Sequence, residues 1–261
     1  MSEVKAAPDR ERYRVVSLDI DRCTHDSAVE RVVSLARSGR GSYVCFGTVH
    51  MIMESHDSPD FGDRVNAADM IVPDGMPTVW MQRMQNAHET ERVRANDLMM
   101  LLMARAEKER LRVGFYGGKQ EVIDSILDRA RREYSKLEIA FAHSPPFRAL
   151  TSEEDTETIE KINSSGTQIL FMGLGCPKQE NWMAEHKGRL NCVMLGVGAS
   201  FDFYAGNVKE SPAWLGRLGL EWLYRLTQEP KRLWRRYLIL NPRFILQAAR
   251  QIFRRKINRR P

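Results

Sequence analysis

Residues 168–187 read QILFMGLGCPKQENWMAEHK, and this stretch decides the fold class that the sequence predicts. An apolar run over 168–172 is followed by a turn with two glycines, and then by a helical pattern over 178–187. A short, continuous apolar run is typical of a parallel strand that is buried on both faces. A strand, a tight turn and a helix in succession form the repeating unit of a doubly wound α/β fold.

The same unit recurs along the chain. Further strands are predicted at 13–18, 43–46, 70–72, 112–116, 137–141 and 192–197. Helical patterns lie between them, at 27–38, 50–58, 96–109, 119–133 and 152–163, and Ser152 is a candidate cap for the last. We therefore predict a Rossmann-like, doubly wound α/β domain over 13–210 with a mainly parallel sheet, preceded by a disordered lead over 1–12.

The pattern changes over 211–261, where helical spacing interrupted by Pro212, Pro230 and Pro242 predicts a basic helical appendage. Residues 216–237, GRLGLEWLYRLTQEPKRLWRRY, combine two Trp and two Tyr with six basic residues. Arg and Trp together favour a surface that binds a ligand. From residue 225 onward there are twelve Lys or Arg and one acidic residue, which indicates contact with a polyanion, either anionic lipid or nucleic acid.

Composition places the chain among globular proteins, with 43% hydrophobic and 28% charged residues and a net charge of +6. The four cysteines form no CxxC pair, which favours reduced thiols in a cytoplasmic protein. The first residues lack the apolar core of a signal peptide, so we expect none. No apolar run approaches the ~20 residues of a spanning helix, so any membrane contact is expected to be peripheral.

Ligands in such sheets bind beyond the carboxyl ends of the strands, so the turns there carry the candidate site residues. After 43–46 come Thr48 and His50, where Thr48 either caps the next helix or presents its hydroxyl to an anion. After 70–72 come Asp74 and Gly75, which either present a carboxylate to a cleft or form an Asx turn.

The turn that begins at Gly173 lacks the third glycine of GxGxxG, because Lys178 stands in its place. This disfavours a dinucleotide-binding dehydrogenase. Lys178 and Gln179, at a helix start, are candidates for holding a nucleotide diphosphate or sugar hydroxyl groups.

The turn after 192–197 contains Gly198, Phe201 and Asp202. These residues could frame a base or a sugar, or they could form an aromatic core contact with a capping Asp. Separately, Asp19 and Asp21 spell DxD, a short and unspecific pattern that some nucleotide-sugar enzymes use to hold a divalent metal.

Taken in order, these turns resemble the WecG/TagA/CpsF glycosyltransferases, glycosyltransferase family 26, over roughly residues 14–240. The motifs are Thr48-Val49-His50, 68–75 (ADMIVPDG), 91–93 (ERV), 173–180 (GLGCPKQE), 196–198 (GVG) with Phe201-Asp202 and Ala205-Gly206, and 220–226 (LEWLYRL) with Glu229-Pro230, Arg232 and Arg236-Tyr237. Each motif alone is unspecific, but the ordered set is specific.

The resemblance implies an inverting transfer of a sugar from a UDP-sugar donor to a polyprenyl-diphosphate-linked saccharide, in cell-surface polysaccharide biosynthesis. It also implies catalysis without a metal or other cofactor, at the cytoplasmic face of the membrane. Asp74 then corresponds to the general base, and Thr48 and Gln179 to pocket residues. Arg225 and Arg232 correspond to phosphate-binding arginines of an appendage that closes the pocket and attaches to the membrane. Gly75, Gly173 and Gly198 are candidate substrate contacts at the same turns.

The chain departs from the family pattern at three positions. His50 replaces the usual Asn and could titrate near neutral pH, so that it would share the role of base with Asp74. Ala95 replaces a usual Gly, and Pro77 stands near another. These changes leave the donor sugar open among N-acetylmannosamine, its uronic acid, glucose and others.

Two further questions stay open at this point. A nucleic-acid-binding protein is the alternative function, supported by the basic tail with Trp222, Tyr224 and Trp234. The apolar residues of the tail recur at helical spacing, which fits a lipid surface better, so we expect no nucleic-acid partner. Self-association is an open alternative for covering exposed apolar surface.

Overall fold

A computed structural model describes residues 10–258, except for the side chains at positions 213, 217, 256 and 258. The first nine residues of the predicted lead and residues 259–261 of the predicted appendage lie outside the described residues.

The centre of the fold is a six-stranded sheet in the order β4-β3-β8-β7-β5-β6, in which every neighbouring pair is parallel. Its strands are β3 Ser42–Phe46, β4 Met70–Val72, β5 Val113–Gly117, β6 Ile139–His143, β7 Ile169–Gly173 and β8 Val193–Leu195. Six of the seven predicted strands thus lie in the sheet, with bounds that shift by up to two residues. The predicted parallel α/β sheet is confirmed.

Helices cover both faces of this sheet. They are α1 His25–Ser38, α2 Val49–Asp57, α3 Pro59–Asn66, α4 Met76–Arg83, α5 Ala95–Glu109, α6 Gln120–Glu133, α7 Ser152–Ser165, α8 Lys178–His186, α9 Ser200–Tyr204, α10 Ala213–Arg217, α11 Glu221–Gln228 and α12 Pro230–Asn258. Side chains on β3 alternate between two separate cores, with Val44 and Phe46 in one and Tyr43 and Cys45 in the other. A sheet between two helical layers with a core on each face is a doubly wound architecture.

The first predicted strand, 13–18, is wrong. Residues in that region form an antiparallel hairpin of β1 Arg12–Val15 and β2 Leu18–Asp21, in which Val16 turns the chain with a φ of 55°. The carboxylate of Asp21 accepts a hydrogen bond from the backbone N–H of Ile71 at 2.6 Å and so attaches the hairpin to edge strand β4. Arg10 pairs with the same carboxylate at 2.5 Å, which anchors residues 10–12 on the hairpin.

Two local predictions about helix ends also need correction. The cap of α7 is Thr151 rather than Ser152: its hydroxyl accepts from Glu154 N, and the Glu154 carboxylate accepts from Thr151 N at 2.9 Å. Pro242 does not interrupt the appendage, because α12 runs through it to Asn258. Phe244 and Ala248 of α12 are buried against the same core as α2, and this packing offsets the backbone hydrogen bond that a proline removes.

Candidate active site

A cleft of about 1010 Å³ opens at the carboxyl ends of four neighbouring strands, β4, β3, β8 and β7. The turns that follow these strands form its floor. Residues of the turn after α10, of α11 and of α12 as far as Ile252 line its other side, and we call residues 218–237 of that side the lid. The candidate residues that line it are Thr48, His50, Asp74, Gly75, Gly173, Gln179, Gly198, Asp202, Arg225 and Arg232. Turns that are separated by about 150 residues in sequence therefore contribute to one site.

Asp74 follows the edge strand β4 and is half-buried in the cleft wall. Burial raises the pKa of its carboxyl group above the usual range. The charge of Arg92 opposes this rise, Glu221 adds to it, and Arg94 and the backbone N–H of Ala95 at the start of α5 oppose it. A carboxylate with a raised pKa is a better proton acceptor than an exposed one, which suits a general base.

Thr48 and His50 lie at the N-terminus of α2. Thr48 caps the helix, since its hydroxyl accepts from Met51 N at 3.3 Å. His50 Nε2 is 3.5 Å from Glu54 Oε1, and its buried Nδ1 has no hydrogen-bond partner among the described residues. Burial, and next the charge of Arg236, lower the pKa of His50 to about 4. The expectation that it titrates near neutral pH is therefore wrong, because the ring is already neutral there.

Gln179 uses its amide group within the protein. Its Nε2 donates to Gly196 O at 2.7 Å and to Glu180 Oε1 at 2.8 Å, while its Oε1 accepts from Gly175 N at 3.1 Å. These bonds join the turn after β7 to the turn after β8, so Gln179 fixes the shape of the cleft floor. A ligand can reach only the acceptor capacity that remains on Oε1.

Two of the sequence-predicted residues lie apart from the cleft lining. Phe201 is buried in the core, with its ring edge-on to Phe115 at 6.0 Å between centroids. A Cβ added to Gly173 would lie 2.4 Å from the Phe201 ring, so the aromatic packs under the glycine turn and supports it. Lys178 is exposed at the start of α8, outside the lining.

Three arginines of the segment 216–237 reach the cleft. The guanidinium of Arg225 lies 5.1 Å from the Phe203 ring centroid and 3.8 Å from Glu229, and Arg232 pairs with Glu229 at 2.5 Å. The third, Arg236, was not predicted as a site residue. Among the described side chains, no carboxylate lies within 4.0 Å of the Arg236 guanidinium. Burial lowers the pKa of Arg236 and the charge of Arg225 lowers it further, whereas Tyr237, Cys176 and Asp74 raise it. A half-buried guanidinium without a counter-ion can receive an anionic ligand.

Residues 92–96 fasten residues 210–221 over the cleft. Arg92 donates to the backbone oxygen of Asp74 at 2.6 Å and to Glu221 at 2.5 Å. Arg94 donates to Glu210 at 2.8 Å, and Asn96 Nδ2 donates to the same carboxylate at 2.7 Å. The sequence did not predict this attachment, since its partners lie more than 100 residues apart.

Several buried polar atoms in the lining have no partner among the described residues: His50 Nδ1, Asn96 Oδ1, Glu180 Oε2 and Arg225 Nε. The donor at Asn96 Nδ2 is fixed by its contact with a carboxylate, so the orphaned atom is the carbonyl oxygen, an acceptor. Leaving such atoms unpaired costs about 1–3 kcal/mol each. A bound ligand with hydroxyl or amide groups, or ordered water, can supply partners for such atoms.

The DxD pair lies in the hairpin rather than in the cleft lining. Asp19 pairs with Arg14 at 3.0 Å, and Asp21 pairs with Arg10. Within residues 10–258, no group of three or more His, Cys, Asp or Glu side chains is placed to hold a metal ion.

A family model described as "Glycosyl transferase WecG/TagA/CpsF family" matches residues 13–258. The chain belongs to this glycosyltransferase family. The resemblance seen in the ordered motifs is thereby confirmed, and so is the expectation that the protein is an enzyme.

Two curated relatives carry the same description, N-acetylglucosaminyldiphosphoundecaprenol N-acetyl-beta-D-mannosaminyltransferase. The one from Bacillus spizizenii is 30% identical over 207 residues, covering 79% of this chain and 78% of its own length. The one from Bacillus subtilis is 32% identical over 193 residues, covering 74% and 73%.

The cleft of this glycosyltransferase thus combines a carboxylate with a raised pKa, guanidinium groups, and buried acceptor atoms without a partner among the described residues. Over the part of the chain that the structure describes, no helix is both long enough and apolar enough to cross a bilayer.

Proposed function

We propose that this glycosyltransferase moves an N-acetylmannosamine-like sugar from a UDP-sugar to a polyprenyl-diphosphate-linked saccharide, with inversion at the anomeric carbon and without a metal ion. The observation that carries the proposal is the position of Asp74, a base with a raised pKa in a cleft whose lid supplies arginines. Donor and acceptor classes are proposed from the activity by which the two Bacillus relatives are named.

In this reaction a hydroxyl oxygen of the acceptor attacks the anomeric carbon of the donor on the face opposite the UDP group. Asp74 takes the hydroxyl proton as the new C–O bond forms. The old C–O bond breaks, and its electron pair goes to the diphosphate of UDP. General-base catalysis of this kind contributes roughly 10²- to 10⁴-fold to rate.

The leaving diphosphate gains charge in the transition state, and cations must stabilise it. Arg225, Arg232 and Arg236 line the cleft from the lid side, and Arg236 has no competing carboxylate within 4.0 Å among the described residues. Preorganised guanidinium groups in a site that excludes water are effective for this task. The arrangement supports, as part of the proposal, a leaving group that is neutralised by arginine instead of a metal ion.

We further propose peripheral association with the cytoplasmic face of the membrane through α12. Large apolar side chains on this helix are exposed, among them Leu238, Ile239, Leu246 and Phe253, and they alternate with Arg residues. A basic amphipathic helix of this kind favours an anionic lipid interface. The nucleic-acid alternative is weakened because Trp222 packs against Tyr237 and lines the cleft instead of lying free on the surface.

The test is a screen of UDP-sugars for UDP release with a short-chain lipid-diphosphate N-acetylglucosamine acceptor, in excess EDTA. We expect faster turnover with UDP-N-acetylmannosamine than with the other donors, no loss of turnover in EDTA, and a product whose anomeric configuration is inverted by NMR. Turnover that EDTA removes would contradict the metal-free mechanism, and a retained configuration would contradict the role of Asp74 as base.

A further inference from the structure

One wall of the cleft is apolar, and it runs away from Asp74 along α4. Met76, Trp80 and Met84 stand at intervals of four residues and therefore on one face of the helix, and all three line the cleft. The helix begins two residues after Asp74, and the stripe extends about 12 Å at 1.5 Å per residue. The apolar wall thus starts beside the candidate base and leads outward.

Further apolar lining comes from α12 and the turn after α10. Gln251 of α12 and Gln85, just after α4, donate to the same Arg14 carbonyl oxygen, so the two helices lie close together there. Ile245 and Ile252, seven residues apart on α12, line the same cleft, as does Leu218. We call the space bounded by Met76, Trp80, Met84, Leu218, Ile245 and Ile252 the apolar groove. Trp80 is 44% exposed and Ile245 is 66% exposed, so the groove is open to solvent although its walls are apolar.

The chemistry of the cleft indicates what fills this groove. One ligand class must meet both the polar end, with Asp74 and the arginines, and the apolar end that is continuous with it. A nucleotide sugar has no aliphatic part, so the donor leaves the groove empty. An amphiphile with a saccharide diphosphate head and a hydrocarbon chain matches both ends, and apolar side chains left in water would gain from its burial.

We propose that the apolar groove binds the first isoprenoid units of the acceptor lipid. The enzyme would then recognise the lipid chain through its own side chains, in addition to the burial of that chain in the bilayer. The inference rests on the proposed function, which supplies a polyprenyl-linked acceptor. In this arrangement the isoprenoid chain leaves the active site between α4 and α12, next to the exposed apolar face of α12 that carries Leu246 and Phe253.

The experiment measures the KM of diphosphate-linked N-acetylglucosamine acceptors that carry two or four isoprene units, without bilayers and below the concentration at which they form micelles. Because the added units are entirely hydrocarbon, even their partial burial should lower KM by at least about ten-fold. The readout is the ratio of the KM of the two-unit acceptor to the KM of the four-unit acceptor, rather than activity itself.

Two matched pairs of variants locate the effect. Ile245→Glu should reduce the ratio to about one, whereas Leu246→Glu, the same change on the adjacent residue outside the lining, should keep it. Trp80→Ser should likewise reduce the KM ratio to about one. Trp234→Ser should leave the ratio unchanged, because Trp234 is equally exposed at 44% but lies outside the cleft. Thermal unfolding of each variant confirms that it is folded.

The inference is overturned if the ratio is near one in the unsubstituted enzyme, if it arises only when vesicles are added, or if both members of each pair change it equally. Failure of the proposed function looks different, because neither acceptor would then be glycosylated at all. Turnover of the two-unit acceptor without any dependence on chain length would leave the proposed function intact and refute the groove alone.

Discussion

Glu221 holds the lid to the body of the enzyme, and its replacement by Gln should loosen the lid. The carboxylate accepts from Arg92 at 2.5 Å and lies 3.8 Å from Arg94, and its side chain is only 16% exposed. Burial raises the pKa of Glu221, but the charges of Arg92 and Arg94 and the bond from Arg92 outweigh it, so the pKa is lowered overall. The charged form is therefore the one that docks.

The size of the effect follows from the loss of charge in this contact. A hydrogen bond to a charged group contributes about 1.5–3 kcal/mol, and Gln keeps an acceptor but removes the charge. We expect the closed lid to lose about 2 kcal/mol, which corresponds to roughly a thirty-fold shift toward the open form. Solvent screening weakens this contact only slightly, because the Glu221 side chain is less than one-third exposed.

Hydrogen exchange of the α11 backbone amides measures the shift directly. Their protection should fall by about the same factor in Glu221→Gln, while amides of the central sheet stay protected. Glu185→Gln is the matched control, since Glu185 pairs with Arg64 at 2.9 Å on the surface. Loss of charge from an exposed pair should change the protection of α11 much less. If α11 exchanges no faster in Glu221→Gln than in Glu185→Gln, the lid is not held by this contact.

The same contact predicts a dependence on pH. Because the folded-state pKa of Glu221 is depressed, its contribution is complete above the ordinary Glu value of about 4.3 and is lost as pH falls through the lower folded value. The protection of the α11 amides, measured relative to their intrinsic exchange rate at each pH, should therefore fall at acidic pH in the unsubstituted protein, and less so in Glu221→Gln. An equal fall in protection in both proteins would contradict this assignment.

Three other substitutions test the site. Gly173→Ala should lower the melting temperature by several degrees, because a Cβ 2.4 Å from the Phe201 ring forces repacking that costs about 1–3 kcal/mol; an unchanged value would contradict this packing. His50→Asn should leave the shape of the pH–rate profile above pH 6 unchanged, since the pKa of His50 is about 4, and loss of an ionisation near neutrality would contradict it. Asn96→Ala should lower kcat/KM about ten-fold, because it removes the orphaned acceptor. Glu210→Gln keeps a partner for Asn96 Nδ2 and should lower kcat/KM less. If the two substitutions lowered kcat/KM equally, the effect would come from the contact between Asn96 and Glu210.

The sheet could be predicted from sequence because its signal is local. Strands such as Met70–Val72 are short apolar runs next to turn residues, and the pattern sets both their type and their bounds. The hairpin could not be separated from the sheet in this way. Its turn at Val16 has a positive φ without a glycine, so nothing in the sequence marks the reversal.

The residues of the site were predictable where a strand end fixes them, as for Asp74, and less so where their role depends on distant partners. Gln179 stands at a helix start, as a ligand-binding residue would, yet its amide joins two glycine turns. Arg236 lies in a basic run in which its neighbour Arg235 lies over Trp234, and only the tertiary fold decides which guanidinium enters the cleft. The pKa of His50 depends on burial, which the sequence does not display.

The central claim is that Asp74 is the general base, and replacing it with Asn tests this most directly. Asn keeps the shape but cannot accept the proton, so kcat with the lipid-diphosphate acceptor should fall by roughly 10²- to 10⁴-fold while the KM values change little. The unsubstituted enzyme should also lose activity as pH falls through the raised pKa of Asp74, an ionisation that the variant lacks. Turnover of Asp74→Asn at close to the normal rate would contradict the account.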